Sequence, residues 1–300
     1  MNAPRSLRAI GLMLTSMAAF AATDMFIKLT TQTVPVAEVI LITSAGGTIF
    51  FAVLVRAAGE RLYSPLSHSR GVVLRNLAEV FGTVCMVSAL ALVPLSLVVA
   101  INQSTPLIAT ACAAALLGES VGPRRWFAIG VGFCGVMLIL GPQDVAVTAG
   151  VLFSVGAAFG MAARDVFTRL VPDEATTLQV SLWGLGALVP VGAALMAVTE
   201  SAVLPDGRDA VWLAGATVSL IVAYYTITSA VRHADISLVI PYRYFRILFA
   251  LAIAVAVFGE RPEFTTLAGA AIIVSSGLFV LRRERQVKAL PDEARRQSPS

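Results

Sequence analysis

The sequence predicts an all-α integral membrane protein of ten transmembrane helices, built as two inverted five-helix repeats with both termini inside. Composition, the lengths of the apolar runs and a repeat at an offset of 141 residues predict it. Of the 300 residues, 57% are hydrophobic and 13% are charged, and the mean hydropathy is +0.83. A soluble domain is about 45–50% apolar and about 25% charged. Folded in water, this chain would expose large apolar patches, which monomers rarely tolerate. A soluble enzyme, an extracellular scaffold and a disordered chain are therefore excluded.

A spanning helix needs about 20 mostly apolar residues. Ten runs qualify, each bounded by charges, prolines or glycines: 8–30, 34–55, 71–92, 95–117, 125–141, 146–169, 175–198, 210–231, 237–258 and 264–281. Connections are short, the longest running from Arg56 to Arg70. Residues 286–300 form a charged cytoplasmic tail with two prolines, a composition expected to be disordered. With the N-terminus inside, 17 of the 22 basic residues fall on or near the cytoplasmic side, Arg164 and Arg169 among them. Only Lys28, Arg208 and Arg261 fall outside, while Arg243 and Arg246 lie within a span. Arg5 and Arg8 before an apolar stretch also fit a signal peptide, but the repeat needs residues on both sides of any cleavage point near Ala21.

Residues Ala21–Leu29 recur as Ala162–Leu170 with five of nine identities, and Ser96–Glu119 recurs as Ser237–Glu260 with 10 of 24. Both matches share the offset of 141. The units are residues 1–141 and 142–285, with five spans each. An odd number of spans makes the second unit enter the membrane from the opposite side. Inverted repeats of this kind build many secondary transporters, with the solute site near the midplane between the halves.

Ten spans as five plus five, each half closing its fourth span with an apolar run that ends Gly118-Glu119 or Gly259-Glu260, resemble the drug/metabolite transporter superfamily, EamA type. Pro106-Leu107-Ile108 through Leu116-Leu117-Gly118-Glu119 is similar to that family's pattern. The second half departs from it, with its proline earlier, at Pro241, and Ile247 at the site matching Pro106. Whether the two spans bend at one depth is thereby open. The resemblance implies carriage of a small organic solute, without ATP and without a cofactor. The segments Asp24–Lys28, Pro106–Glu119 and Pro241–Tyr244 are further similar to bacterial riboflavin and S-adenosylmethionine carriers. Riboflavin uptake across the inner membrane is the first expectation; import of S-adenosylmethionine and export of amino acids or drugs are the alternatives.

Ionisable residues inside a membrane are functional candidates, since each costs about 2.5–3.5 kcal/mol to insert. Span 9 carries Pro241-Tyr242-Arg243-Tyr244-Phe245-Arg246, with the two arginines about 9 and 13 Å along the helix from Ser237. Their repeat partners lie in Asn102-Gln103-Ser104-Thr105-Pro106 of span 4. Substrate-lining candidates are therefore Arg243, Arg246, Tyr242, Tyr244, Asn102, Gln103 and Thr105. Glu79 in span 3 is a candidate counter-charge or proton site; as i,i+4 neighbours, it and Arg75 also suit a local ion pair. Tyr224 and Tyr225 in span 8 offer rings for a planar solute. Asp24 with Lys28, and Asp165 with Arg169, have the same i,i+4 spacing at corresponding ends of spans 1 and 6, and are expected to serve as structural or gating pairs. Glu38 maps to Gln179, both expected near the outer surface with no role in the site.

His68 and His233 are isolated, and Cys85, Cys112 and Cys134 sit in apolar runs without metal-ligand spacing. No metal site, cofactor or nucleic-acid partner is expected. An unusual intramembrane site around Glu79 is the one enzymatic alternative. The expected partners are a small-molecule solute and the bilayer; nothing in the sequence sets an oligomeric state.

Overall fold

The computed structural model describes residues 3–117, 122–140, 148–199, 203–233 and 240–288. Within these residues all regular secondary structure is helical, with ten helices long and apolar enough to cross a membrane. Spans 1, 2 and 3 are Ala3–Thr30, Val36–Ala57 and Arg70–Leu92. Span 4 is divided into Leu95–Asn102 and Thr105–Leu117, and span 5 is Pro123–Leu140. Spans 6, 7 and 8 are Ala149–Thr168, Thr177–Thr199 and Gly207–His233. Span 9 begins as a 3₁₀ stretch, Ile240–Tyr244, and becomes α-helical over Phe245–Phe258. Span 10, Phe264–Lys288, stays helical three residues past the boundary expected at 285, and residues 289–300 of the expected tail lie outside the described residues.

Span 3 packs on span 6 and span 1 on span 8, span 2 packs on span 7, and span 5 on span 10. Exchanging the halves converts this set of pairs into itself, as a pseudo-two-fold axis requires. Spans 4 and 9 meet at the centre. Their apolar residues, such as Leu95, Val98, Ile101, Ile247 and Ala250, belong to the main buried core.

Both central spans break at one repeat position. Pro106 has no N–H for the carbonyl of Asn102, so the α-helix stops there and restarts at Thr105. In span 9 the earlier Pro241 produces the 3₁₀ stretch, and the α-helix restarts at Phe245. Gln103 and Tyr244, 141 residues apart, stand at the two breaks, and the Gln103 side chain donates to the Tyr244 carbonyl at 3.1 Å. The α-helices of the two spans therefore restart at neighbouring repeat positions that touch each other, although their prolines differ in position.

The repeated Gly-Glu ending has a physical reason in the second half. Gly259 is left-handed (φ 62°), a conformation glycine adopts without a Cβ penalty, and it closes the span 9 helix. The turn delivers Glu260 to the start of span 4, where its carboxylate accepts from Leu95 N (2.7 Å), Ser96 N (3.0 Å) and Ser96 Oγ (2.6 Å). These backbone N–H groups begin a helix and have no partner within it. Beside them, Lys28 donates to the carbonyls of Leu90 and Val93, at the end of span 3. Gly118 and Glu119 lie outside the described residues. Glu260→Ala is expected to cost about 1–2 kcal/mol, as the loss of a helix cap does, and Ser96→Ala less. Thermal unfolding of the purified variants in detergent checks that order.

Glu38 and Gln179 are not on the same side. Glu38 accepts from Val203 N, in the connection after span 7, whereas Gln179 donates to the Arg61 carbonyl in the connection after span 2. Inversion of the second repeat sends the equivalent residue to the opposite face, so only Glu38 is outer.

Candidate functional site

The break in span 9 places Arg243 in its 3₁₀ stretch and Arg246 in the first turn of the following α-helix. Arg246 meets Asp24 of span 1: Nε and Nη2 both donate to Oδ2, at 3.2 and 2.6 Å. Phe20, one turn before Asp24, lies under the guanidinium with its ring centre 5.2 Å from Cζ. Tyr224 of span 8 meets Phe20 edge to face at 5.6 Å. One helical turn away, Arg243 faces Asp165 of span 6 at 3.6 Å. Asp24 and Asp165 are equivalent in the repeat, and each takes one arginine of the same short segment.

The Asp165 end continues into a chain of charges. Asp165 Oδ1 accepts from Arg164 Nε and Nη2, at 3.1 and 2.9 Å. Arg164 reaches across to Glu79 at 3.2 Å, Arg75 lies 2.7 Å from the other Glu79 oxygen, and Tyr224 donates its hydroxyl to Glu79 at 2.9 Å. Arg75 also donates to the side chain of Asn76 and to the Val180 carbonyl. The side chains are progressively more exposed along this chain: 2% for Glu79, 18% for Arg164, 27% for Asp165 and 36% for Arg243. Three guanidiniums face two carboxylates, so the network carries one positive charge in excess, and Arg243 is its most open member.

Spans 3 and 6 come close enough for this chain because Gly82 and Gly160 face each other. A Cβ on Gly160 would lie 2.5 Å from Gly82 Cα. Small residues at a crossing let backbones approach in this way.

The sequence candidates divide into two groups. Arg243, Glu79 and Tyr224 converge with Arg75, Arg164 and Asp165, while Arg246 converges with Asp24 and Phe20. The others do not join the charges. Asn102 donates to the carbonyl of Val98 in its own helix, Gln103 is spent on the crossing, and Thr105 is buried at the break. Tyr244 is buried with its hydroxyl against Gly277. Tyr242 stacks on Phe245 and packs on the apolar side of span 1. Tyr225, about 100° further round its helix than Tyr224, is half exposed on the outer surface.

The expected pairing of Asp24 with Lys28 is corrected. Asp24 binds Arg246, and Lys28 extends outward to two carbonyls at the end of span 3. An i,i+4 helix pair is worth only about 0.2–0.5 kcal/mol, and a buried aspartate gains more from a guanidinium that reaches it with two N–H groups. Asp165 likewise has Arg164 and Arg243 as partners, and Arg169 caps the end of span 6. Arg164 is the site residue that sequence reasoning counted only among the basic residues on or near the cytoplasmic side. Its signal was present, since it adjoins Asp165 within an apolar run. Among the described residues, no three of His, Cys, Asp and Glu converge to hold a metal ion.

In sequence and overall fold the chain is similar to known proteins. The model of the EamA-like transporter family matches residues 7–141 and again residues 148–282. A riboflavin transporter of Rhizobium johnstonii is 30% identical over 78% of this chain and 76% of its own. An S-adenosylmethionine uptake transporter of Rickettsia felis is 25% identical over 74% of this chain and 75% of its own. One solved crystal structure shares the fold, with a TM-score of 0.61 at 21% identity, covering 90% of this chain and 98% of its own. Two matches to one five-helix unit, in tandem and spanning nearly all of the chain, leave one assignment: the protein is a multi-pass membrane transporter, not an enzyme, and belongs to the EamA-like transporter family.

Proposed function

We propose that the protein carries a flat, acceptor-rich metabolite across the bacterial inner membrane by alternating access, and that the metabolite is riboflavin. The single observation that carries this reading is Arg243, the open end of a buried network with one more guanidinium than carboxylates. A solute offering carbonyls or ring nitrogens satisfies those donors, whereas the sulfonium of S-adenosylmethionine adds a second unbalanced positive charge. The Phe20 and Tyr224 rings beside Arg246 suit a planar ring system. The riboflavin transporter relatives agree with this choice, and the S-adenosylmethionine relatives keep that solute as the second reading. Two broken spans crossing on the pseudo-two-fold axis suit a rocking motion of one half against the other. Glu79 suits a fixed counter-charge better than a proton carrier, because Arg75, Arg164 and Tyr224 already share its carboxylate.

The test is uptake of labelled riboflavin by cells that neither make nor import it. The chain is expected to restore uptake. Arg243→Gln should lower it tenfold to a hundredfold at an unchanged protein level, since hydrogen bonds to a charged group are worth about 1.5–3 kcal/mol. No uptake by wild-type protein present in the membrane would overturn the riboflavin reading. S-adenosylmethionine uptake, and then efflux, would be measured next.

A further inference from the structure

The two equivalent aspartates hold their arginines differently. Asp24 is buried, meets Arg246 at 2.6 Å, and has at repeat-equivalent position 23 a threonine whose hydroxyl turns back to the Ala19 carbonyl. Asp165 meets Arg243 at the looser distance of 3.6 Å, through Oδ2, while its Oδ1 is bound twice by the adjacent Arg164. When Asp165 and Arg243 separate, the carboxylate therefore keeps a partner. Arg243 keeps none of the contacts described above, and an uncompensated charge within a membrane is costly until an acceptor arrives.

Resting on the reading that Arg243 contacts the solute, we propose that Asp165 is a resident occupant of the solute's place. In the empty protein its carboxylate holds the Arg243 guanidinium, and an acceptor group of the solute displaces it there during transport. Arg164 is what makes the displacement reversible, because it retains Asp165 while the solute is bound. Arg246, held by Asp24, stays fixed throughout. The site thus selects solutes with a carbonyl or anionic group shaped to a guanidinium, such as the pyrimidinedione edge of a flavin, and rejects cations.

Competition by a built-in group weakens apparent binding by the fraction of time the site is free. With full-length protein in membrane vesicles, Asp165→Asn is expected to lower the KM for riboflavin roughly threefold to tenfold, with a lower kcat. Asp165→Glu, which keeps the charge on a longer arm, should shift KM the opposite way. A merely structural role for Asp165 would not tighten KM on removing its charge. The second readout needs no solute: the rate at which phenylglyoxal modifies Arg243, followed by mass spectrometry. That rate should rise in Asp165→Asn, fall in Asp165→Glu and stay unchanged in Asp24→Asn.

An unchanged or raised KM in Asp165→Asn, or equal labelling rates across the Asp165 variants, overturns the proposal. If wild-type protein does not move riboflavin, the substrate reading fails and the labelling rates alone decide this inference. If Asp165→Asn does not reach the membrane, the opposite shift expected of Asp165→Glu decides it.

Discussion

Replacing Glu79 with glutamine is expected to remove most of the protein from the membrane. The substitution preserves shape and a carbonyl acceptor for Tyr224, so only the charge is lost. Arg75 and Arg164 then face each other across a neutral amide at the most buried part of the network, whereas loss of the Asp165 charge falls at its more exposed end. Breaking a buried ion pair from one side costs about 3–5 kcal/mol, because the partner's charge stays buried and uncompensated. Glu79→Asp should lose less, since the charge remains. Membrane levels and thermal unfolding in detergent provide the measurement. A Glu79→Gln protein that melts with wild type would mean that Arg75 and Arg164 are neutralised elsewhere.

Gly160→Leu is expected to be as damaging for a different reason. A Cβ there would lie 2.5 Å from Gly82 Cα and 2.7 Å from Gly82 N, and both are backbone atoms that cannot rotate aside. Spans 3 and 6 must move apart, and with them Arg164 and Glu79, which meet at 3.2 Å across that seam. Overpacking typically costs about 1–3 kcal/mol, to which the weakened ion pair is added. Gly156→Ala, one turn away, is the control: its Cβ would meet the Cys85 sulfur at 3.1 Å, a side-chain contact that can yield. Normal stability of Gly160→Leu would show that the seam is looser than these distances indicate.

The spans were legible in the sequence because length and hydropathy are local properties, and a membrane leaves few alternatives to an apolar helix. The inverted architecture was legible because the repeat survives as identical residues at one offset. The partners of the charges were not. Asp24 and Lys28 stand four apart and suggest a local pair, yet Arg246 lies 222 residues further along the chain from Asp24. Only the packing of span 1 against span 9 brings them together. Arg164 was missed because counting basic residues by loop treats any arginine near a helix end as a topology marker. Tyr225 was overread because its neighbour Tyr224 faces inward, and one residue of rotation separates the site from the outer surface. The breaks were half legible: the prolines were visible, but the alignment of the breaks depends on where each helix restarts.

The Glu260 cap also bears on the order in which the molecule is made. The first two N–H groups of span 4 find their acceptor 164 and 165 residues downstream. At a synthesis rate of about 5–20 residues per second, they wait roughly ten to thirty seconds for it. Throughout that interval the N-terminal half sits in the bilayer with its central helix uncapped. It is therefore expected to be an unfinished assembly intermediate, with the Leu95 and Ser96 N–H groups lacking their Glu260 acceptor. A gene fragment encoding that half alone should yield a product that membrane proteases clear, and co-expression of the other half should rescue it.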